Sequence, residues 1–257
     1  MAYPRFSPLM MRWRSGLAAA VVLGLGFGFW LAPCQAAEPP TSAGTMSDDE
    51  AGFDPRNDRK SVRATKQMVA SANPLASAAG LEMLRAGGSA ADALVAMQMV
   101  LTVVEPQSSG VGGSAFAVYY DRKSNRVSAF DGRAAFPQAT TDDWFQAPGG
   151  KWYTNRDLED AGRSVGVPGV LRVLEALHKR NGRLPWQRLF EPAIALAEQG
   201  FDISERLHAS IRSDKYLKRA PAAAGHFLNR RGRAKPLGTR LRNPQLAATF
   251  RRVATDG

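Results

Sequence analysis

Glu105-Pro106-Gln107-Ser108-Ser109-Gly110-Val111-Gly112-Gly113-Ser114-Ala115-Phe116-Ala117-Val118-Tyr119-Tyr120 is the stretch on which the fold turns. Glu105-Pro106 terminates a preceding helix, the glycines form a loop, and the apolar end has the composition of a strand. Asp121 to Asn125 reads as a turn and Arg126-Val127-Ser128-Ala129-Phe130 as a second strand. The result is a β-hairpin whose first strand is apolar enough to be buried on both faces. Asp131-Gly132-Arg133 follows as a turn at the sheet end.

Upstream, Ser89 with Asp92 three residues later is a capping box, and it opens a helix through Leu94, Met97, Gln98, Val100 and Leu101 that Glu105-Pro106 ends. Before it, Asn73-Pro74 supplies an N-cap and a first-turn proline for a helix through Ala76, Ala79, Gly80, Met83 and Leu84, stopped by Gly87-Gly88. The alanines and glycines of this pair predict close helix packing. Gln67-Met68-Val69-Ala70-Ser71-Ala72 has the pattern of a short buried strand.

Downstream, Pro137 to Lys151 is turn-rich, with Pro148-Gly149-Gly150 as a loop. Ser164-Val165-Gly166-Val167-Pro168-Gly169 introduces an amphipathic helix using Val170, Leu171, Val173, Leu174 and Leu177, capped by Asn181-Gly182. Leu184-Pro185-Trp186 opens a short helix, and Glu191-Pro192 another through Ile194, Leu196 and Ala197 to Gly200. A last helix runs through Leu246, Phe250 and Val253 with no tertiary partner after it. Helices and strands together place the chain in the α/β (α+β) class.

Among 257 residues, 44% hydrophobic content excludes a disordered or collagen-like chain, and one Cys excludes an internal disulfide framework. The net charge of +11 divides unevenly: +3 in residues 1–37, −1 in 38–200 and +9 in 201–257. Residues 1–37 carry Arg5, Arg12 and Arg14, an apolar run from Leu17 to Ala32, and small residues around Cys34-Gln35-Ala36-Ala37. This is the pattern of an export signal cut after Ala36 or Ala37, which places the mature protein in the periplasm or outside the cell. An uncleaved anchor is the alternative. A lipoprotein reading through Leu31-Ala32-Pro33-Cys34 meets an unsuitable proline. Residues 38–60, rich in Pro, Ser, Gly and Asp, read as a mobile leader.

Spacing alone yields little chemistry. The Gly110 to Gly113 loop precedes a strand, lacks a Walker lysine and does not match a phosphate cradle. Ser108 and Ser109 lie outside any nucleophile elbow. His178, on the exposed end of a helix, His208 and His226 are separate from one another and from carboxylate pairs at ligand spacing, and read as surface or packed histidines. No metal site emerges. The basic run Arg230-Arg231-Gly232-Arg233-Ala234-Lys235 has no interleaved aromatics and no helix-turn-helix pattern, so nucleic acid is not its expected partner. It is a solvated loop or meets phosphate or anionic lipid. Arg133, at a strand end beside glycine, suits a bidentate clamp on a carboxylate; its alternative is a surface arginine paired to Asp131 or Asp142.

Several ordered motifs carry a resemblance. Met68 to Ser77, Gly87-Gly88-Ser89-Ala90-Ala91-Asp92-Ala93, Val104 to Gly113, Ser164 to Gly169, Leu184-Pro185-Trp186, and Glu191-Pro192-Ala193-Ile194 through Gly200-Phe201 together resemble the large-subunit region of γ-glutamyltranspeptidases (glutathione hydrolases) over about residues 62 to 253. The resemblance implies an αββα N-terminal-nucleophile hydrolase fold, incomplete without the downstream part of the precursor. Residues 61–257 are then the N-terminal part of the large subunit. It further implies a precursor that cuts itself before a threonine, which as first residue of the small subunit attacks the γ-glutamyl amide.

That resemblance implies no cofactor and no metal. It implies a γ-glutamyl substrate such as glutathione, and a small subunit from the same precursor as partner. No stable membrane span is expected once the signal is removed. The family's Thr-Thr-His is absent, and Thr140-Thr141 is followed by Asp142, so no catalytic residue is assigned in this chain. The one site residue carried over is Arg133, as the group that binds the donor's α-carboxylate. Where the family reads Arg-Glu-Thr-Ala-Pro, this chain has Arg133-Ala134-Ala135-Phe136-Pro137. A related acylase acting on cephalosporin-type amides is the alternative activity, and a non-catalytic family member the alternative role. The Gly110 to Gly113 loop is expected to let the following strand approach the nucleophile's layer closely.

Overall fold

A computed structural model of the chain describes residues 62–154, 158 and 162–256. The export-signal and leader readings, on residues 1–37 and 38–60, lie outside the described residues. Helix α1 (Pro74–Arg85) starts because the Asn73 side chain accepts from the Leu75 N–H at 3.0 Å and Pro74 presets the first turn. Gly87, at φ +89°, releases the chain into Ser89, whose side chain caps α2 (Ala90–Val104) reciprocally with Asp92.

α2 is the centre of the core. Val95, Met99, Val100 and Val104 are fully covered, and α1 lies along it with Ala76 and Met83 buried. The small residues serve that contact: a β-carbon on Gly80 would stand 2.4 Å from the Met97 sulfur.

The hairpin forms in the expected place, as β1 (Ala115–Asp121) and β2 (Arg126–Gly132), paired antiparallel with Ala115 opposite Gly132 and Asp121 opposite Arg126. The Asp121 side chain closes the turn by accepting from the Ser124 hydroxyl and the Lys123 and Ser124 N–H groups. The Ser124 bond leads the contacts that hold this carboxyl below its ordinary range. The expectation that β1 is buried on both faces is overturned. Ala115, Ala117 and Tyr119 face the core, whereas Phe116 (68%), Val118 (76%) and Tyr120 (56%) on β1 and Val127 (66%) on β2 are exposed. Only one side of the hairpin meets a helix among the described residues. The expected strand at Gln67–Ala72 is also absent: the segment is mostly exposed, Met68 at 57%, and pairs with no other strand among those described. An apolar run becomes a strand only where a partner offers ladder bonds.

Helix α3 (Val170–Asn181) covers the inner face of the hairpin with Val170, Val173, Leu174 and Leu177. A 3-10 turn (Trp186–Phe190) leads into α4 (Glu191–Gln199), which Gly200 ends at φ +91°. β3 (Phe201–Asp202) pairs with β4 (Arg240–Leu241), and between them lie α5 (Glu205–Ser213), a 3-10 turn (Leu217–Arg219) and α6 (Pro221–Phe227). The last helix, α7 (Pro244–Asp256), packs on α4 and on the Trp186–Phe190 turn. Phe250 meets Phe190 edge-on at 6.1 Å, and Trp186 Nε1 donates to the Val253 carbonyl.

The turn-rich segment after β2 is tied down by Arg163. Its guanidinium lies 5.3 Å from the Trp144 ring and 5.2 Å from the Tyr153 ring and donates to the Trp144 carbonyl, while Trp144 Nε1 donates back to the Arg163 carbonyl.

Where α3 begins, backbone touches backbone. A β-carbon on Gly169 would fall 2.1 Å from the Gly132 carbonyl oxygen, and one on Gly132 would fall 2.7 Å from Val173 Cβ. Gly169→Ala is therefore expected to destabilise the chain by about 3 kcal/mol through overpacking, lowering Tm by roughly 10 °C in a thermal melt. An unchanged Tm would show that the two segments part without penalty.

Candidate functional site

Arg133 stands at the exit of β2, exposed. Its own N–H donates to Asp131 Oδ1 at 2.8 Å, which turns the nearest carboxylate to the backbone. Among the described residues the guanidinium makes no ion pair, with Asp131, with Asp142 or with any other acid. Hydrogen bonds from their backbone N–H groups fix the following residues. Ala134 N–H donates to Ser114 Oγ at 2.8 Å, and Ala135 and Val167 exchange bonds of 3.3 and 2.8 Å. Phe136 is exposed and tilts against Phe145, their centroids 6.1 Å apart.

The Gln107–Ser114 loop is referred to the same point. The Gly113 carbonyl accepts from the N–H groups of Gly169 (3.0 Å) and Val170 (3.2 Å) at the start of α3. The loop and Arg133 thus share one anchor, the first turn of α3. Within this chain the loop glycines meet no close neighbour, and the expected approach to the nucleophile's layer concerns a part of the precursor outside it. β-Carbons on Gly110 and Gly112 would meet nothing within 4 Å, and one on Gly113 only the Gly110 carbonyl at 3.6 Å. The tight contacts are at Gly132 and Gly169 instead. Beside the loop, an open depression of about 680 Å³ runs from Ser109, Gly110 and Val111 to His226 and Phe227. Burial first, and the charge of Lys235 second, hold the His226 imidazole below its ordinary pKa.

Glu105, a helix stop by its place in the sequence, is also the buried anchor of the loop. It is 2% exposed at the C-terminus of α2, where the helix dipole disfavours a negative charge. Its compensation comes from three sides. Asn73 Nδ2 donates to Oε1 at 2.8 Å, Gln107 Nε2 donates to Oε2, and Arg206 of α5 stands 3.4 Å from Oε2. The Glu105 carbonyl accepts from the Ser108 and Ser109 N–H groups, and Arg206 Nη2 reaches Ser108 Oγ at 3.4 Å. An acid closing an otherwise apolar helix was the signal available, because such a charge needs partners from elsewhere in the chain.

The histidines need one correction. His178 is not on an exposed helix end: its side chain is 15% exposed. Nε2 lies 2.9 Å from the Leu184 carbonyl and 3.3 Å from Oδ1 of the buried Asp92, and the ring packs on Trp186 at 5.2 Å. Asp92 also accepts from Ser89 and from the Arg183 N–H at 2.9 Å, so it joins the start of α2 to the end of α3. His208 Nδ1 meets the Lys235 carbonyl at 2.9 Å.

Replacing Glu105 by Ala leaves the Asn73 and Gln107 amides without their acceptor. Arg206, 38% exposed at its side chain, returns to solvent at little cost. The expected loss is about 2–3 kcal/mol, with faster amide exchange at Ser108 and Ser109. Exchange there at the parent rate would show that Glu105 does not hold the loop.

Comparison with known proteins agrees with this architecture. Residues 76–257 match the gamma-glutamyltranspeptidase family. The glutathione hydrolase proenzyme of Bacillus subtilis (strain 168) is 38% identical over 190 residues, covering 74% of this chain and 32% of that protein. Glutathione hydrolase 3 of Arabidopsis thaliana is 33% identical over 197 residues, 76% of this chain and 30% of its own. The chain thus spans about a third of the length of these curated relatives. Helicobacter pylori gamma-glutamyltranspeptidase superposes with a TM-score of 0.72 at 29% identity, covering 77% of this chain and 56% of that one. Cephalosporin acylase from Bacillus halodurans does so at 0.58 and 26%, covering 79% and 39%. The αββα N-terminal-nucleophile fold implied by the motifs is that of these neighbours. By residues 76–257, the chain belongs to the γ-glutamyltranspeptidase family.

Proposed function

We propose that this chain is the N-terminal part of the large subunit of an exported γ-glutamyltransferase or glutathione hydrolase, working in the periplasm or outside the cell. Its role there is to bind the donor. The observation that carries the reading is the Arg133 guanidinium, exposed, without an acid partner among the described residues, and fixed at its backbone beside the glycine loop. A planar fork in that state suits the α-carboxylate of a γ-glutamyl compound such as glutathione through two parallel hydrogen bonds.

The chemistry itself belongs to the small subunit of the same precursor. Its N-terminal Thr hydroxyl attacks the γ-carbonyl carbon while the Thr α-amine takes the hydroxyl proton. The C–N bond then breaks, the proton passes to the departing amine, and an acyl-enzyme remains. Water or an amino acid takes the acyl group. The exposed apolar face of the hairpin, Phe116, Val118, Tyr120 and Val127, supports this division, because it has the character of a surface built to be covered by a second sheet. The same fold serves a cephalosporin acylase. One observation favours an acylase as the second reading: Ala134-Ala135-Phe136 places an exposed ring, in place of polar groups, next to Arg133.

Two outcomes follow. Purified Met1–Gly257 releases no p-nitroaniline from a γ-glutamyl analogue, since the nucleophile is not in it; measurable turnover would sink the subunit assignment. In the complete precursor, Arg133→Ala raises the donor KM by about thirty-fold, the equivalent of about 2 kcal/mol, with a smaller effect on kcat. Arg133→Lys recovers little of it, for want of the fork. A KM that barely moves for γ-glutamyl donors, with cephalosporin-type amides cleaved faster, selects the acylase.

A further inference from the structure

Part of the +9 charge of residues 201–257 converges on one place on the surface. Two short ordered turns gather part of it around one depression of about 650 Å³, lined by Arg212, Lys215, Lys218 and Arg233 over a floor that includes Leu228. On one side, Asp214 Oδ1 accepts from the Tyr216 and Leu217 N–H groups at 2.7 and 2.8 Å, which shapes the Leu217–Arg219 turn. On the other, Asn229 Oδ1 accepts from the Arg231 and Arg233 N–H groups at 2.9 and 3.2 Å, and Gly232 takes φ +68°. Leu228 and Ala234 bridge beneath that turn. The Lys218 side chain reaches toward it: a β-carbon on Gly232 would be 3.6 Å from Lys218 Cε.

None of these four cations makes an ion pair among the described residues. Asp214, the acid among the lining residues, is engaged by backbone. Gathering four like charges around one hollow raises the free energy of the chain alone and lowers it once a multivalent anion enters. The fit is to phosphate. Two guanidinium forks take paired phosphate oxygens, and two ammonium groups neutralise the remaining charge. A single carboxylate is too small and too weakly charged to engage all four. A nucleic-acid strand would need free aromatic faces to stack on, and among the lining residues the ring is the His208 imidazole, held at Nδ1 by the Lys235 carbonyl at 2.9 Å.

We propose that this depression is a binding site for clustered phosphate groups, carried either by a soluble oligophosphate or by the headgroups of an anionic phospholipid. The full chain is titrated with sodium tripolyphosphate by calorimetry, and sedimented with vesicles of phosphatidylglycerol or of phosphatidylcholine, at about 50 and about 200 mM NaCl. Saturable binding of tripolyphosphate identifies a soluble ligand. Binding to phosphatidylglycerol vesicles alone identifies the lipid. Either sustains the site.

The triple variant Arg212→Ala/Lys218→Ala/Arg233→Ala weakens binding by at least about ten-fold. The triple Arg122→Ala/Lys123→Ala/Arg126→Ala removes the same charge from the hairpin turn and changes binding by less than about two-fold. All six side chains belong to exposed residues, so both triples keep the parent thermal melt. Lys218→Arg, which keeps the charge, retains affinity. Equal losses in the two triples, or no saturable binding of either probe at the lower salt, overturns the proposal.

Discussion

The backbone contact between Gly132 and Gly169 is the constraint from which the arrangement of the site follows. Strand and helix come within touching distance because neither residue carries a side chain, and the start of α3 can then take the Gly113 carbonyl on its first N–H groups. Those amides are the ones a helix leaves without internal partners, so the loop satisfies the helix while the helix fixes the loop. A two-stranded hairpin is marginal by itself. Here Val170, Val173 and Leu174 give it a covered face, and the same contact sets where Arg133 emerges.

Glu105 extends this economy to the other end of the loop. A charge at the C-terminus of an apolar helix is unfavourable in isolation. Its carboxylate is held from α1 through Asn73, from the loop through Gln107 and from α5 through Arg206. Asn73 is used twice, its oxygen capping α1 and its amide nitrogen serving Glu105. Three segments distant in sequence are therefore referred to one buried acid.

What could be read from the sequence was what depends on near neighbours in the chain. Asn73-Pro74, the Ser89/Asp92 box and the glycine at 200 act within one helical turn, and the helices begin and end where those residues say. The hairpin register follows from Asp121 and Asn125 in the same local way. The misreadings concern distant partners. Gln67–Ala72 has a strand's composition but no strand beside it among the described residues, and β1 has apolar residues on both faces with a helix over one. Arg183 binds Asp92 across 91 positions, and no spacing rule reaches that far. Arg133 as a candidate rests on the ordered motifs around it, since a lone arginine after a strand has no spacing of its own.

The uncovered face of the hairpin also bears on behaviour in solution. Phe116, Val118, Tyr120 and Val127 form a contiguous apolar strip on a two-stranded sheet whose outer edges have no strand partner among the described residues. A strip of that kind is sticky toward any other strip like it, including the one on a neighbouring copy. Protein concentration therefore becomes a variable of the molecule's state. Dilution favours separate chains, crowding favours face-to-face pairs, and a sheet that reaches the strip first protects the chain from its own copies. Covering the strip is then a matter of solubility for this chain.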